Sequence, residues 1–376
     1  ALFLLATGNP ELQGYVRRAV YKILEEEIKP APLDGRKAGK SWYNSADALL
    51  LGEYYLATGD RNVLPHLKYA CDKLTAMQQP EGGWRHNYPG GSNYGYISVA
   101  GLPGVMGMHF AKLAGVDIDL DSYELGVRHY KRHRAETGQI IYGVGDMYRP
   151  VPVRFEPEQM LNGKMNSMNG AVSCAGILMD FIDDYRSSQF CSAISVYAYN
   201  NTHFGHGGNF WNNFWTPLGA SFHSRSAFIY FEKNYRWYRE LSRMHDGMLT
   251  GGGRPTAGYG IALLVPRQRI RIAGATDSPF EADAPEVLGP ALKAYWDRDY
   301  TTAQARVEAI LADSKALIAD GRLTQEELPA VENFARAVME RQQSIQADLE
   351  RMDAMIRAGD PGTAVTFLPG LEGVLP

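Results

Sequence analysis

Leu5-Ala6-Thr7-Gly8-Asn9, Leu56-Ala57-Thr58-Gly59-Asp60 and Lys112-Leu113-Ala114-Gly115-Val116 are three copies of one phrase, in which an apolar residue, Ala, and Thr or Ala run into Gly. They recur at intervals of about fifty residues, the period of a repeat architecture. Looser counterparts stand at Phe181-Ile182-Asp183-Asp184 and Phe231-Glu232-Lys233-Asn234. Gly just past a helix supplies the left-handed cap, and the Asn or Asp that follows starts the next turn. Around the second copy the apolar spacing is helical on both sides, with Ala48, Leu51 and Tyr55 before it and Leu64, Leu67, Ala70, Cys71 and Leu74 after it. Each repeat therefore reads as a helical hairpin. Hairpins that bury one face against a neighbour need end caps or closure, and about four or five of them precede residue 250, close to the number that closes a ring. The expected fold class is all-α, an α/α-toroid of repeated helical hairpins over 1–250 with a C-terminal helical appendage. The chain opens without Met and in a helical pattern, which predicts that an N-terminal part of the toroid is missing from it.

Residues 251–290 are rich in Gly and Pro, with one short β-like stretch at Arg269 to Ile272, and read as a connection carrying a short hairpin. Residues 291–376 read as a C-terminal helical segment. Ala291 to Asp320 has a helical pattern, and a long helix is predicted from Gln325 to Arg357. Thr324 and Glu327 form a capping box, Leu323 and Leu328 a hydrophobic staple, and Gly359 with Pro361 the stop. Leu328, Val331, Phe334, Ala335, Val338, Ile345, Leu349, Met352 and Ile356 make one apolar stripe about 50 Å long at the standard helical rise. The stripe packs on the rest of the chain or meets a protein partner.

The second hairpin ends in Gln78-Gln79-Pro80-Glu81-Gly82-Gly83-Trp84. This resembles the Q-x-x-x-G-x-W motif of triterpene cyclases, whose Gln caps a helix while the Trp packs beside the next hairpin. With Gly205-His206-Gly207-Gly208-Asn209-Phe210-Trp211 and Pro217-Leu218-Gly219-Ala220, the chain is similar to the α/α-toroid superfamily of terpenoid-cyclase, prenyltransferase and polysaccharide-lyase type. Within it, the chain most resembles a bacterial family without an established activity. The resemblance covers about 1–250 and implies a fold more than a chemistry.

Composition removes several classes. Lys plus Arg total 38 against 42 for Asp plus Glu in 376 residues, so no basic footprint for nucleic acid is present. Cys71, Cys174 and Cys191 lack paired spacing and read as buried thiols. No apolar run approaches the roughly 18 residues of a membrane span, which predicts a soluble protein and leaves its compartment open, a periplasmic or secreted one included. Asp34 to Ser41 ends like a phosphate-binding loop but carries Asp where that motif needs Gly. Asp117, Asp119, Asp121 and Asp183-Asp184 fall between helices and read as caps, so terpene and prenyl chemistry are disfavoured.

The chemistry-bearing segment is 197–225, dense in Asn, His and Trp. From Ser187 to Phe231, and again from His86 to Val116, there is no Asp or Glu. Hydrolysis of a glycosidic bond needs two opposed carboxylates. Elimination from a uronate needs an amide or Arg to stabilise the substrate carboxylate and a His or Tyr to move the C5 proton. Asn200-Asn201-Thr202-His203 is similar to an Asn-Asn-His lyase motif interrupted by Thr202. The candidate catalytic residues are His203, His206, Asn201 and Arg225. Trp42, Asn44, Tyr94, Asp146, Asn166, Asn209, Trp211 and Trp215 are the candidate substrate-binding residues, placed by the hairpin alternation around one mouth. Asn and Gly also cap helices, and Trp in a toroid also fills cores. No metal and no cofactor is predicted. A carbohydrate-active toroid with elimination ahead of hydrolysis stands beside a non-catalytic module that binds a glycan or peptide or serves assembly.

Overall fold

The structure, a computed structural model, describes residues 1–86, 96–132, 143–144, 169–197, 202, 210–249 and 253–359. Among these it holds fifteen α-helices and one pair of two-residue strands. In chain order the helices are α1 Leu2–Ala6, α2 Gln13–Tyr21, α3 Ser41–Thr58, α4 Leu64–Met77, α5 Ser98–Leu113, α6 Leu120–Arg132, α7 Asn169–Phe181, α8 Tyr185–Tyr197, α9 Phe210–His223, α10 Arg225–Ser242, α11 Gly253–Leu264, α12 Gly289–Trp296, α13 Tyr300–Ala312, α14 Ser314–Ala319 and α15 Leu328–Arg357. Strand β1 Tyr96–Ile97 runs antiparallel to β2 Gly143–Val144, with Tyr96 opposite Val144.

The repeat phrase does the work its residues predict. Gly8, Gly59 and Gly115 all take positive φ. In the first two copies the Thr hydroxyl donates back to the helix, Thr7 to the Leu4 carbonyl and Thr58 to the Tyr54 carbonyl, both at 2.6 Å. Asn9 and Asp60 then accept from the backbone N–H of Glu11 and Asn62. Asp183 repeats the left-handed turn without Gly. The fifth copy does not: Phe231 to Asn234 lies inside α10, where nothing breaks the helical pattern.

The odd-numbered helices pack on one another in order. Helix α1 meets α3, α3 meets α5, α5 meets α7, α7 meets α9, α9 meets α11, and α11 returns to α1. Even-numbered helices α2, α4, α6, α8 and α10 each pack against odd-numbered neighbours. Close approach within the inner set depends on glycine: an added Cβ at Gly107 would stand 2.6 Å from that of Ala48, and one at Gly52 2.6 Å from that of Phe110. Helices α5 and α7 are apolar nearly all round and correspondingly buried on every face. Cys71, Cys174 and Cys191 are buried free thiols within this packing.

The segment after α11 is not the hairpin the sequence suggests. Arg271–Ala273 is a 3-10 turn, and the backbone N–H groups of Arg271 and Ile272 donate to the buried Glu53 carboxylate at 2.7 and 2.8 Å. The segment covers the carboxyl ends of α1, α3 and α5. Ser278 donates to the Leu56 carbonyl, Ala282 N–H to the Leu113 carbonyl and Arg267 to the Thr7 carbonyl. All three copies of the phrase are thus held by one covering segment at one end of the helix array.

The helical pattern of residues 291–320 is divided among α12, α13 and α14, with breaks at Arg298 and Asp313. The long helix starts three residues later than its cap suggests. Thr324 and Glu327 make the reciprocal hydrogen bonds of a capping box, at 2.7 and 3.2 Å, and Gly359 ends it with positive φ. Its stripe is covered by the chain itself: Val331, Phe334 and Val338 belong to the same core as α3 and α5, whereas Ile356 stays exposed. No helix among the described residues is long and apolar enough to cross a membrane.

Candidate functional site

With the carboxyl ends of α1, α3 and α5 covered, the amino ends of the inner helices form the other end of the array. Helix α3 begins without a side-chain cap, and Ser41 instead donates to the Arg85 carbonyl at 2.6 Å, fastening the start of α3 to the strand leading out of the Gln78–Trp84 turn. That turn is rigid. Gln78 donates to the carbonyls of Gly82 and Ser122 at 3.1 and 2.9 Å and accepts from the Ser122 hydroxyl at 2.7 Å. Trp84, fully buried, donates to the Leu74 carbonyl at 2.8 Å and packs where Gly101 and Gly126 leave room on α5 and α6.

The next residue but one, His86, meets Trp42 of α3. The two rings stack at 5.6 Å, and the Trp42 indole N–H donates to His86 Nδ1 at 2.6 Å. An accepting Nδ1 puts the proton of the neutral ring on Nε2, so His86 is a donor here rather than a base. On its other side Trp42 meets Trp211 of α9 edge to face at 5.6 Å, and Trp211 lies 5.6 Å from Trp215, one turn further along the same helix face. Helix α9 also secures α7: Asn212 Oδ1 accepts from the Gly170 backbone N–H at 2.8 Å. The amino ends of α3, α7 and α9, far apart in sequence, are therefore joined around one aromatic cluster. The strand pair adds Gly143 and Val144 to the same neighbourhood, because Ile97 N–H, at the start of α5, donates to the Trp84 carbonyl at 2.7 Å.

The predicted residues divide three ways. Trp42 and Trp211 come together and are half-buried. Trp215 joins them but is 1 % exposed, so it backs Trp211 instead of offering a face to a ligand. Asn44 does not join: it is buried, and its amide donates to the Ala38 carbonyl at 2.8 Å and to Met77 Sδ, which holds the loop before α3 against α4. Arg225 is exposed at the first position of α10, beyond the carboxyl end of α9, and so lies a helix length of about 20 Å from Trp211. Tyr94, Asp146, Asn166, Asn201, His203, His206 and Asn209 lie outside the described residues.

His86 is the residue that sequence reasoning passed over. Its signal was position, two residues beyond a turn that fixes Trp84, since a side chain so close to a rigid turn cannot be far from the helix that turn is tied to. The Nε1 atoms of Trp211 and Trp215 and the Oγ1 atoms of Thr202 and Thr216 are buried without a hydrogen-bond partner among the described residues. Carboxylates beside the cluster are engaged elsewhere. Glu81 accepts from the Tyr96 hydroxyl, which with burial pushes the Tyr96 phenol up to about 12. Asp47, raised to about 6 by burial, faces Lys73 and Glu26. No group of three or more His, Cys, Asp or Glu among the described residues is placed to hold a metal ion.

No curated protein matches the chain, and no solved structure does. Residues 1–264 match DUF6288, a domain of unknown function, and thus take in α1 to α11 and the whole aromatic cluster. With well over half of its length inside that match, the chain belongs to the DUF6288 family.

Proposed function

We propose that the cyclic packing of the odd-numbered helices is an α/α-toroid, and that its open end is the mouth of a carbohydrate site. The observation that carries the reading is the meeting of Trp42 with Trp211 and His86 at the amino ends of inner helices distant in sequence. Half-buried indoles offer flat apolar faces to sugar rings. The stretches of sequence around His86 and Trp211, 86–116 and 187–231, contain no Asp or Glu, and Asp146 is the notable acid of the stretch between them. That composition disfavours a two-carboxylate hydrolase and favours elimination from a polyuronate.

In this reading Asn201 neutralises the uronate carboxylate and His203 or His206 takes the C5 proton. The C4 oxygen leaves as the C4–C5 double bond forms. Trp42 and Trp211 hold neighbouring sugars, and His86 donates to one of them. Arg225, at the covered end, has no part in it. A polymer substrate fits a periplasmic or secreted protein.

The test is a panel of polyuronates followed by ultraviolet absorbance of the unsaturated product, with calorimetric binding measured in parallel. Product formation that falls in W42A and W211A supports the reading. Binding without product turns the chain into a glycan-binding module, the second reading, which the same indole pair favours. Neither binding nor product with any polymer overturns both.

A further inference from the structure

A second cavity, of about 540 Å³, opens at the covered end of the helix array, between α2, the Thr58–Asn62 turn and the C-terminal helices α12, α13 and α15. Part of its wall, from Tyr295 to Asp348, comes from residues beyond the family match. It is rich in cations: Arg17, Arg18, Lys22, Arg61, Arg298 and Arg341 line it, against Glu25, Asp60, Glu340 and Asp348.

Three of these four acids are already committed. Glu25 pairs with Lys22 at 2.5 Å, and Glu340 pairs with Arg269 at 2.5 Å. Asp60 accepts from the Tyr21 and Tyr54 hydroxyls at 3.0 and 3.1 Å while it caps the turn. Asp348 is left among the arginines, in a buried position that raises its pKa despite Arg341 and the other cations around it.

Arg17 is held but not satisfied. Its guanidinium lies 4.8 Å over the Tyr21 ring, and Nη2 donates to the Tyr21 hydroxyl at 3.1 Å. Tyr21 is fixed in turn by Asp60 and by Asn62, whose amide donates to it at 3.1 Å. Nε and Nη1 of Arg17, which point to different sides of the guanidinium, are buried without a partner among the described residues, as is the Ser344 hydroxyl in the same wall. Flat surfaces flank these groups: Arg61 lies 4.8 Å over Trp296, and Arg341 lies 5.6 Å over Tyr300.

We propose that this cavity binds a small organic oxyanion, a phosphate ester or carboxylate carried on a flat ring, with Arg17 as its cationic anchor and the Trp296 and Tyr300 side as its ring platform. The proposal is independent of the mouth at the opposite end. Two donors of one guanidinium that find no acceptor among the described residues, held by a tyrosine whose position is set by a glycine turn, are arranged for an acceptor that comes from outside.

The test uses the full chain at constant ionic strength, titrated calorimetrically with inorganic phosphate, phenyl phosphate and benzoate, chloride serving as the blank. Phenyl phosphate is expected to bind at least tenfold more tightly than inorganic phosphate, and Arg17→Met to lose at least tenfold of that affinity, while Arg36→Met, remote from the cavity, keeps it. Benzoate binding as well as phenyl phosphate assigns a carboxylate ligand, and the reverse order assigns a phosphate ester. Should Arg17→Met fail to fold, modification of Arg17 by phenylglyoxal in the wild type replaces it, with slowing by phenyl phosphate as the expected result. Equal affinity in wild type and Arg17→Met, no binding of any of the three anions, or Arg17 modification unaffected by phenyl phosphate overturns the proposal.

Discussion

Gly82 stands in the left-handed region at φ +94°, and a Cβ added there would lie 2.4 Å from the Leu125 carbonyl oxygen. Backbone cannot yield as a side chain can, so Gly82→Ala is expected to cost about 1–3 kcal/mol, read as a lower urea midpoint at unchanged slope. Gly39→Ala, where φ is also positive but nothing lies within 4 Å, isolates the strain alone and is expected to cost less. At the mouth, Trp211→Ala is expected to weaken glycan binding about tenfold, about 1.4 kcal/mol, with stability measured beside affinity because Trp211 also touches Trp215. Single residues were legible from sequence where their job is local. Thr58, Gly59 and Asp60 announce a turn by their own chemistry, and Thr324 with Glu327 a cap. Asn44 was not legible in this way, because an amide that bonds a carbonyl six residues back and one that bonds a ligand look alike in a string of letters.

At the level of elements, the joint between α3 and the covering segment has a pH signature. Burial raises the Glu53 pKa from 4.5 to about 7, outweighing the two backbone donors and Arg271. The folded state then keeps a proton that the unfolded chain has already lost, so stability from this group is present below 4.5 and falls as pH rises toward 7. Glu53→Gln is expected to flatten that fall, checked by urea midpoints at about pH 5 and about pH 8. Helices with an amphipathic or wholly apolar pattern were readable because their period is intrinsic to the chain. The 265–298 segment was not, since its order comes from carbonyls and a carboxylate offered by helices far away in sequence. Its Gly and Pro content signalled a boundary, which is what an irregular cover and a flexible connection share. The fifth phrase failed for a related reason: without a Gly, Lys233-Asn234 has nothing to stop a helix.

For the whole molecule, the family match ends at 264 but the core does not. Phe280, Leu288, Leu292, Val331 and Phe334 are buried in the same cluster as Leu56, Leu67 and Phe110. A chain cut after Leu264 would expose that surface together with the carboxyl ends of α1, α3 and α5. It is expected to bind a hydrophobic dye and to lose a single cooperative transition in calorimetry, whereas the uncut chain melts as one unit. The all-helical class was plain in the sequence, whereas α11 was not, since Gly253–Leu264 falls in the 251–290 stretch read as a connection. Which helix ends the 265–298 segment covers was not plain either, because that depends on carbonyls offered far away in sequence.

The contact between α1 and α11 centres on Phe3, whose Cε2 would lie 2.3 Å from a Cβ at Gly260. A methyl group at Gly260 has to push the Phe3 ring out of the joint through which α11 returns to α1. Deuterium should then enter the α1 amides sooner in Gly260→Ala than in the wild type, because local opening follows the amount of buried contact.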